Sequence, residues 1–345
     1  MKDKTTTQYR LYKVGLVLVL VAIFLIALCV GRYVISIPNV IKILFSKTVF
    51  SQVLSIDKTW EDMAESVIFT LRLPRVLGAM FIGAALSVSG AAYQGVFKNP
   101  LVSPDLLGVS SGACVGAAVA ILLGLNSFGV QVLAFVMGVA TVLLTVTIPK
   151  MLKNTSMTML VLSGVIVSGI MNSLMGIIKY LADPETQLAS IVYWQMGSLT
   201  KVLMSDLFYI TPVIVLGLIA ILSVRWRINI LSLGDNEAKS LGIQTKLLRG
   251  FVILSSTLLT ASAVCMCGTI GWVGLVIPHL GRMLVGPDNT KSIPISMLLG
   301  SSFMIIIDTL ARVMTTMELP LSILTGLIGA PFYILILSRQ RMRLS

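Results

Sequence analysis

The run VGLVLVLVAIFLIALCVG, residues 14–31, contains no charged side chain and follows a segment that carries Lys2, Lys4, Arg10 and Lys13. A helix rises about 1.5 Å per residue, so a stretch of roughly 18 apolar residues is long enough to cross a bilayer core. The run is longer than the apolar core of a signal peptide and lacks a small-residue cleavage site, so it is expected to persist as a first span. The rest of the chain repeats its character. Of 345 residues, 56% are hydrophobic and only 12% charged, too apolar for a polar water-facing surface.

Similar runs recur at about 14–35, 73–93, 107–124, 129–149, 157–180, 204–224, 248–267, 270–285, 293–314 and 320–338. They predict an all-α polytopic membrane protein of ten transmembrane helices, organised as one domain over 1–345: the first span (14–35), an outer loop (36–70), spans two to six (72–224), a cytoplasmic loop (225–246) and spans seven to ten (247–338). With the N-terminus inside, 17 of the 26 Lys and Arg fall on the inner side, as the positive-inside rule requires. Both termini are then cytoplasmic. The net charge of +12 is explained by orientation against an anionic leaflet, and membrane lipid rather than nucleic acid is the implied partner. Spans two to five and seven to ten enter from opposite sides, the arrangement of an inverted repeat over 72–185 and 246–338. In the outer loop, IPNVIKILF places Pro38 in a first helical turn and Val40, Ile41, Leu44 and Phe45 on one face, which predicts an interfacial helix.

Between spans six and seven stands LSLGDNEAKSLGI, residues 231–243, polar enough for a soluble protein. Asp235 or Asn236 can cap a helix start, and Gly242 can end it in the left-handed conformation. Ala238 and Leu241 share a face at helical spacing. Two turns are not stable alone, so this helix docks either on the chain's own surface or on a cytoplasmic partner.

Polar residues inside the spans are the other candidates. Gly164, Ser168, Asn172 and Gly176 recur every four residues in span five, which fits close helix packing or the wall of a translocation path. Arg72 and Arg75 flank Pro74 at the outer end of span two, and Arg312 lies near the outer end of span nine; arginines at such ends commonly snorkel. Asp308 is a carboxylate well inside a span, four residues from Arg312 and able to pair with it. Pro278 and its neighbouring glycines are expected to break or loosen span eight. His279 reads as a hydrogen-bonded structural histidine, and with one histidine in the chain a multi-histidine metal site is excluded. Cys29, Cys114, Cys265 and Cys267 lie in apolar runs and read as small hydrophobes.

Four stretches carry a resemblance: LRLPRVLGAMFIGAALSVSGAAYQGVFKNPLVSPDLLGVSSGA at 71–113, LGDNEAKSLGI at 233–243, GTIGWVGLVIPHLGRMLVGPD at 268–288 and DTLARVMTTMELPLSILTGLIGAPFYILIL at 308–337. In order and spacing they resemble FecCD-type permeases, the membrane subunits of ABC importers for iron-siderophores, haem and cobalamin. The resemblance implies that Gly234, Asp235, Ala238, Leu241 and Gly242 couple to an ATPase subunit. It implies that Arg72, Arg75 and Arg312 dock an extracytoplasmic substrate-binding protein, and that span five walls a cavity closed on the inside near Asn154, Thr155 and Ser156. It further implies a second permease subunit, identical or related, and two cytoplasmic ATPase subunits. IVYWQMGSL at 191–199 resembles the family's short helix between spans five and six. The chain has no Gly-Lys dipeptide and hence no Walker A loop, so ATP and Mg²⁺ belong to the partner and this chain needs no cofactor and is not itself an enzyme. The expected function is import of an iron-siderophore type chelate across a prokaryotic cytoplasmic membrane. Haem or cobalamin cargo is the alternative within that mechanism, and an ion-coupled transporter using Asp308 the alternative outside it.

Overall fold

In a bilayer core every backbone N–H and C=O must be satisfied within the chain, and the apolar runs satisfy theirs as helices. The computed structural model describes residues 2–47, 58, 60–154 and 156–341, and every regular element among them is helical. In order these are α1 (Lys2–Cys29), α2 (Ile37–Ser46), α3 (Asp62–Ser66), α4 (Leu73–Phe97), α5 (Val109–Leu122), α6 (Ser127–Met151), α7 (Met157–Leu181), α8 (Gln187–Met196), α9 (Met204–Leu233), α10 (Asp235–Ser240), α11 (Thr245–Cys267), α12 (Val273–Val285), α13 (Asn289–Val313) and α14 (Leu321–Arg341). Seven stretches are long and apolar enough to cross a membrane: those of α1, α3 through α4, α6, α7, α9, α11 and α13. The shorter apolar helices α5, α12 and α14 occupy the third, eighth and tenth predicted runs.

The structure refines the sequence reading in three places. The outer loop ends earlier than expected, because α3 continues through a π-helical segment, Val67–Arg72, into α4 as one 36-residue helix. The predicted helix α2 is present: Val40 and Ile43 pack on the protein, while Ile41 and Phe45 of the predicted face stay exposed. Span eight is broken at two of its glycines and not at its proline: the irregular backbone lies at Gly268–Trp272, which includes Gly268 and Gly271, and α12 runs through Pro278.

A side chain on another helix meets the carbonyl that the proline leaves over. Proline at position 278 cannot donate to the carbonyl of Gly274, four residues earlier. The amide Nε2 of Gln94, buried on α4, lies 3.4 Å from that oxygen and 3.3 Å from the Leu275 carbonyl, and donates to the Val102 carbonyl at 3.1 Å.

α4 is the central helix. Of its most apolar window 83% is buried, against 11% for α1. Lipid tails are as apolar as leucine, so close packing must hold the helices together. At the α4–α13 crossing the backbones touch: a Cβ on Gly83 would stand 2.1 Å from the Gly300 carbonyl oxygen. Helices α4 to α7 have 25, 14, 25 and 25 residues and α11 to α14 have 23, 13, 25 and 21. Each short second helix is entered through a positive-φ residue, Gly108 and Trp272 respectively. All four cysteines are free and buried.

Candidate functional site

Two surfaces at opposite ends of the bundle gather the residues singled out above. One is the face where α1 begins and α10 lies, the terminal face. The other, the distal face, holds the C-terminal ends of α1 and α13.

On the terminal face, α10 forms as a single turn and a half and is fixed at both ends. Its N-cap is Gly234, whose backbone makes the corner, and not Asp235 or Asn236. Asp235 instead occupies the first helical position and pairs with both terminal nitrogens of Arg249 on α11, one of them at 2.8 Å. That guanidinium holds the Asp235 carboxyl below the usual carboxylate range. At the other end Gly242 adopts φ 77°, its N–H bonds the Lys239 carbonyl at 2.9 Å, and the N–H of Ile243 bonds the Ala238 carbonyl at 3.0 Å. This pair of bonds is the Schellman termination, which glycine adopts without a Cβ penalty. The predicted shared face of Ala238 and Leu241 is divided. Ala238 is 0% exposed and packs into the core, whereas Leu241, at the C-cap, is 62% exposed. What α10 offers to the surroundings is therefore Leu241, Gly242 and its exposed polar side.

On the distal face, the three arginines expected to face outward are turned into the protein. Arg72 donates through Nη1 to the carbonyls of Leu28 at 2.6 Å and Cys29 at 3.1 Å, and through Nη2 to that of Tyr33. Arg312 donates to the Ala27 carbonyl at 3.0 Å. Both thus satisfy the last carbonyls of α1, which a helix end leaves unpaired. Arg75 reaches Asp308 Oδ1 through Nε at 2.7 Å and Glu318 through Nη1 at 2.8 Å. The predicted pairing of Asp308 with Arg312 is present, with Nε and Oδ2 3.4 Å apart. Sequence spacing could not show that Arg75, 233 positions away, is the closer partner of Asp308. Nor did it single out Glu318, which also accepts from Thr200 Oγ1 at 2.6 Å. Burial disfavours the Glu318 charge, yet Thr200 and Arg75 together hold its carboxyl below the ordinary range.

The stripe on α7 does not stay on one face. Residues four apart rotate by about 40° per step in an α-helix, and the environment changes accordingly. Gly164 is buried against Leu106 and Leu107, Ser168 is half-buried beside Gly108, and Asn172 and Gly176 are exposed. The exposed side of α7 also carries Val165, Ile170, Ser173 and Ile177. Before α7, Asn154 Oδ1 accepts from the Ser156 N–H at 3.2 Å, and Ser156 Oγ caps the helix by accepting from Met159 N–H at 3.2 Å. Thr155 lies outside the described residues. His279 is buried and meets Tyr333 of α14 edge-to-face at 6.3 Å. On the distal side a cavity of about 560 Å³, unforeseen in the sequence, opens between the ends of α5, α6, α8 and α11, with Tyr193, Trp194, Lys201 and Cys265 in its wall.

Comparison with known proteins places these features in context. A model of the FecCD transport family matches residues 18–339. The molybdate import system permease protein MolB of Haemophilus influenzae is 41% identical over 320 residues, 92% of this chain and 93% of that protein. The hemin transport system permease protein HmuU of Yersinia pestis is 37% identical over 79% of this chain and 83% of its own length. A solved structure described as an inward-facing, metal-chelate type ABC transporter superposes with a TM-score of 0.85 at 38% identity, covering 95% of this chain and 98% of that one.

Proposed function

Because this chain belongs to the FecCD transport family, and is thus a multi-pass membrane permease of a prokaryotic ABC importer, we propose that it translocates an iron-siderophore type chelate delivered by an extracytoplasmic binding protein. Two copies, or this chain and a related one, form the pathway, and two cytoplasmic ATPase subunits supply ATP and Mg²⁺. The chain crosses the membrane ten times with the terminal face in the cytoplasm. The parallel run of helix lengths in α4–α7 and α11–α14, with a short second helix in each, supports an inverted repeat.

The observation that carries the coupling assignment is α10. It is fixed to α11 by the Asp235–Arg249 pair and ends in a glycine turn, yet Leu241 stays exposed beside it. A rigid polar helix with one free apolar side chain can pass a push from a soluble partner into α9 and α11. Leu241→Asp is expected to insert normally into the membrane while losing co-purification with the ATPase subunit. Normal complex formation and normal transport by this variant would count against the assignment.

Exposed Asn172 and Ser173 favour α7 as the path wall, since a polar amide facing lipid is costly. The segment Asn154–Ser156 at the start of α7 closes the path on the cytoplasmic side, its capping bonds making a firm edge. The arginine cluster underlies the docking ground of the binding protein, with Glu318 its most exposed member and with Arg72 and Arg312 securing α1. The ion-coupled alternative is weaker, because Asp308 is engaged by two guanidiniums.

For cargo, the exposed side of α7 is mostly aliphatic with few donors, which suits a bulky organic chelate better than a small hydrated oxyanion. Molybdate is the second reading, favoured by the 41% identity to MolB. Uptake of a ferric siderophore and of molybdate by proteoliposomes containing the whole importer separates the two. Transport of molybdate alone would overturn the chelate assignment.

A further inference from the structure

Beside α10, a groove of about 540 Å³ opens between the terminal-face ends of α9 and α11. From these two helices, Trp226 and Arg227 on one and Leu247 and Phe251 on the other line it, and Leu241 and Gly242 form its rim. Higher up, the same two helices touch where Gly217 lies against Leu259. The groove is the space left where that contact ends.

Its depth is fixed by the sequence. Leu207–Val224 is uncharged, and Arg225 ends the run, while on α11 the uncharged run begins just after Arg249. At about 1.5 Å per residue, eighteen residues approach the thickness of a hydrocarbon core, so the groove sits at the boundary between hydrocarbon and headgroups. Its apolar lining also continues toward the bilayer centre. Leu216, Ile219 and Trp226 form one exposed stripe on α9, and Leu247, Phe251 and Leu254 form another on α11. A groove made for a soluble partner has no use for a floor that extends into lipid. The charge beside it is positive: Arg227 lines the groove and Lys246 immediately precedes the lining residue Leu247 on α11; both are exposed and form no ion pair among the described residues, while the nearby carboxylate of Asp235 is taken by Arg249.

We infer that this groove binds an anionic phospholipid, with the phosphate held by Arg227 and Lys246, one acyl chain along Leu247 and Phe251, and Trp226 at the headgroup level. The bound lipid touches Leu241 and Gly242, so the lipid composition of the leaflet bears directly on the coupling segment. This inference needs only the membrane placement of α9 and α11 and survives if Leu241→Asp leaves the ATPase contact intact.

The test uses the full chain in nanodiscs containing brominated phosphatidylglycerol or brominated phosphatidylcholine. The readout is the part of tryptophan quenching that disappears in Trp226→Phe. Each cation near an anionic headgroup contributes roughly a five-fold preference, so phosphatidylglycerol is expected to occupy the groove at many-fold lower mole fraction than phosphatidylcholine. The double variant Arg227→Gln, Lys246→Gln is expected to abolish that preference while retaining quenching by phosphatidylcholine, which reports that the groove is still formed. Arg10→Gln, on α1, is expected to leave it unchanged. Equal quenching by both lipids in the wild type, or a preference that persists in the double variant, overturns the inference. So does loss of the Trp226 quenching when the ATPase subunit is added, since that outcome assigns the groove to the soluble partner.

Discussion

The charged residues of the distal face and those of the terminal face do opposite things with the same chemistry. Arg75, Asp308 and Arg312 are sequestered between helices, and Asp308 is 0% exposed. Asp235 and Arg249 form a bidentate pair at the water boundary, with nearly half of the Asp235 side chain accessible. A buried charge whose partner is removed is left in a medium that cannot solvate it, whereas an exposed pair recovers water when broken. The distal cluster therefore fixes how α1, α4 and α13 fit together, and the terminal pair only sets the pose of a small protruding helix.

The sharpest way to break this contrast is Asp308→Leu, which leaves Arg312 with no carboxylate and Arg75 with Glu318 alone. A loss of about 3–5 kcal/mol is expected, read as a lowered thermal midpoint of the detergent-solubilised chain; an unchanged midpoint would show that the cluster does not hold the helices. Gly83→Val tests the middle of the same α4–α13 contact. With a Cβ 2.1 Å from the Gly300 oxygen, it is expected to cost about 1–3 kcal/mol or more, and wild-type stability would mean that the crossing is loose. Gln94→Leu removes the amide that serves the carbonyl orphaned by Pro278, for an expected loss of about 1–3 kcal/mol. Gln94→Met is the control, since a thioether of similar size cannot donate and should not rescue.

The smallest effect belongs to the terminal pair. The Asp235 carboxyl is depressed by Arg249 in the folded state, so its contribution is complete above the ordinary aspartate value of about 3.9 and is lost as pH falls through the lower folded value. For a pair this exposed the contribution is about 0–1 kcal/mol. Asp235→Asn should therefore melt slightly below wild type at pH 7, by a gap that narrows as the pH falls below the ordinary aspartate value. A gap that widens on acidification would reverse the sign.

What the sequence made legible was local. Each apolar run predicted a helix from its own composition, and the helices lie where the runs do. The polar segment at 231–243 announced a short helix, and Gly242 its end, because a left-handed C-terminal turn is a property of a few consecutive residues. The pairing of Asp308 with Arg312 followed from their spacing on one helix. The four-residue stripe from Gly164 to Gly176 was less secure, because a drift of about 40° per step carries its ends into different surroundings.

The remainder depended on distant contacts. Which face of α10 is buried was settled by the core beneath Ala238. The carbonyl freed by Pro278 is met by Gln94, a residue of another helix with no mark in the local pattern. The direction of Arg72 and Arg312 was settled by the unsatisfied carbonyls ending α1. The sequence by itself determined that this chain is a bundle of membrane helices with a polar protrusion, since hydrocarbon leaves the backbone no other solution. Only the tertiary structure decided where each buried polar group found its partner, because inside a bilayer that partner must come from whichever helix packs alongside.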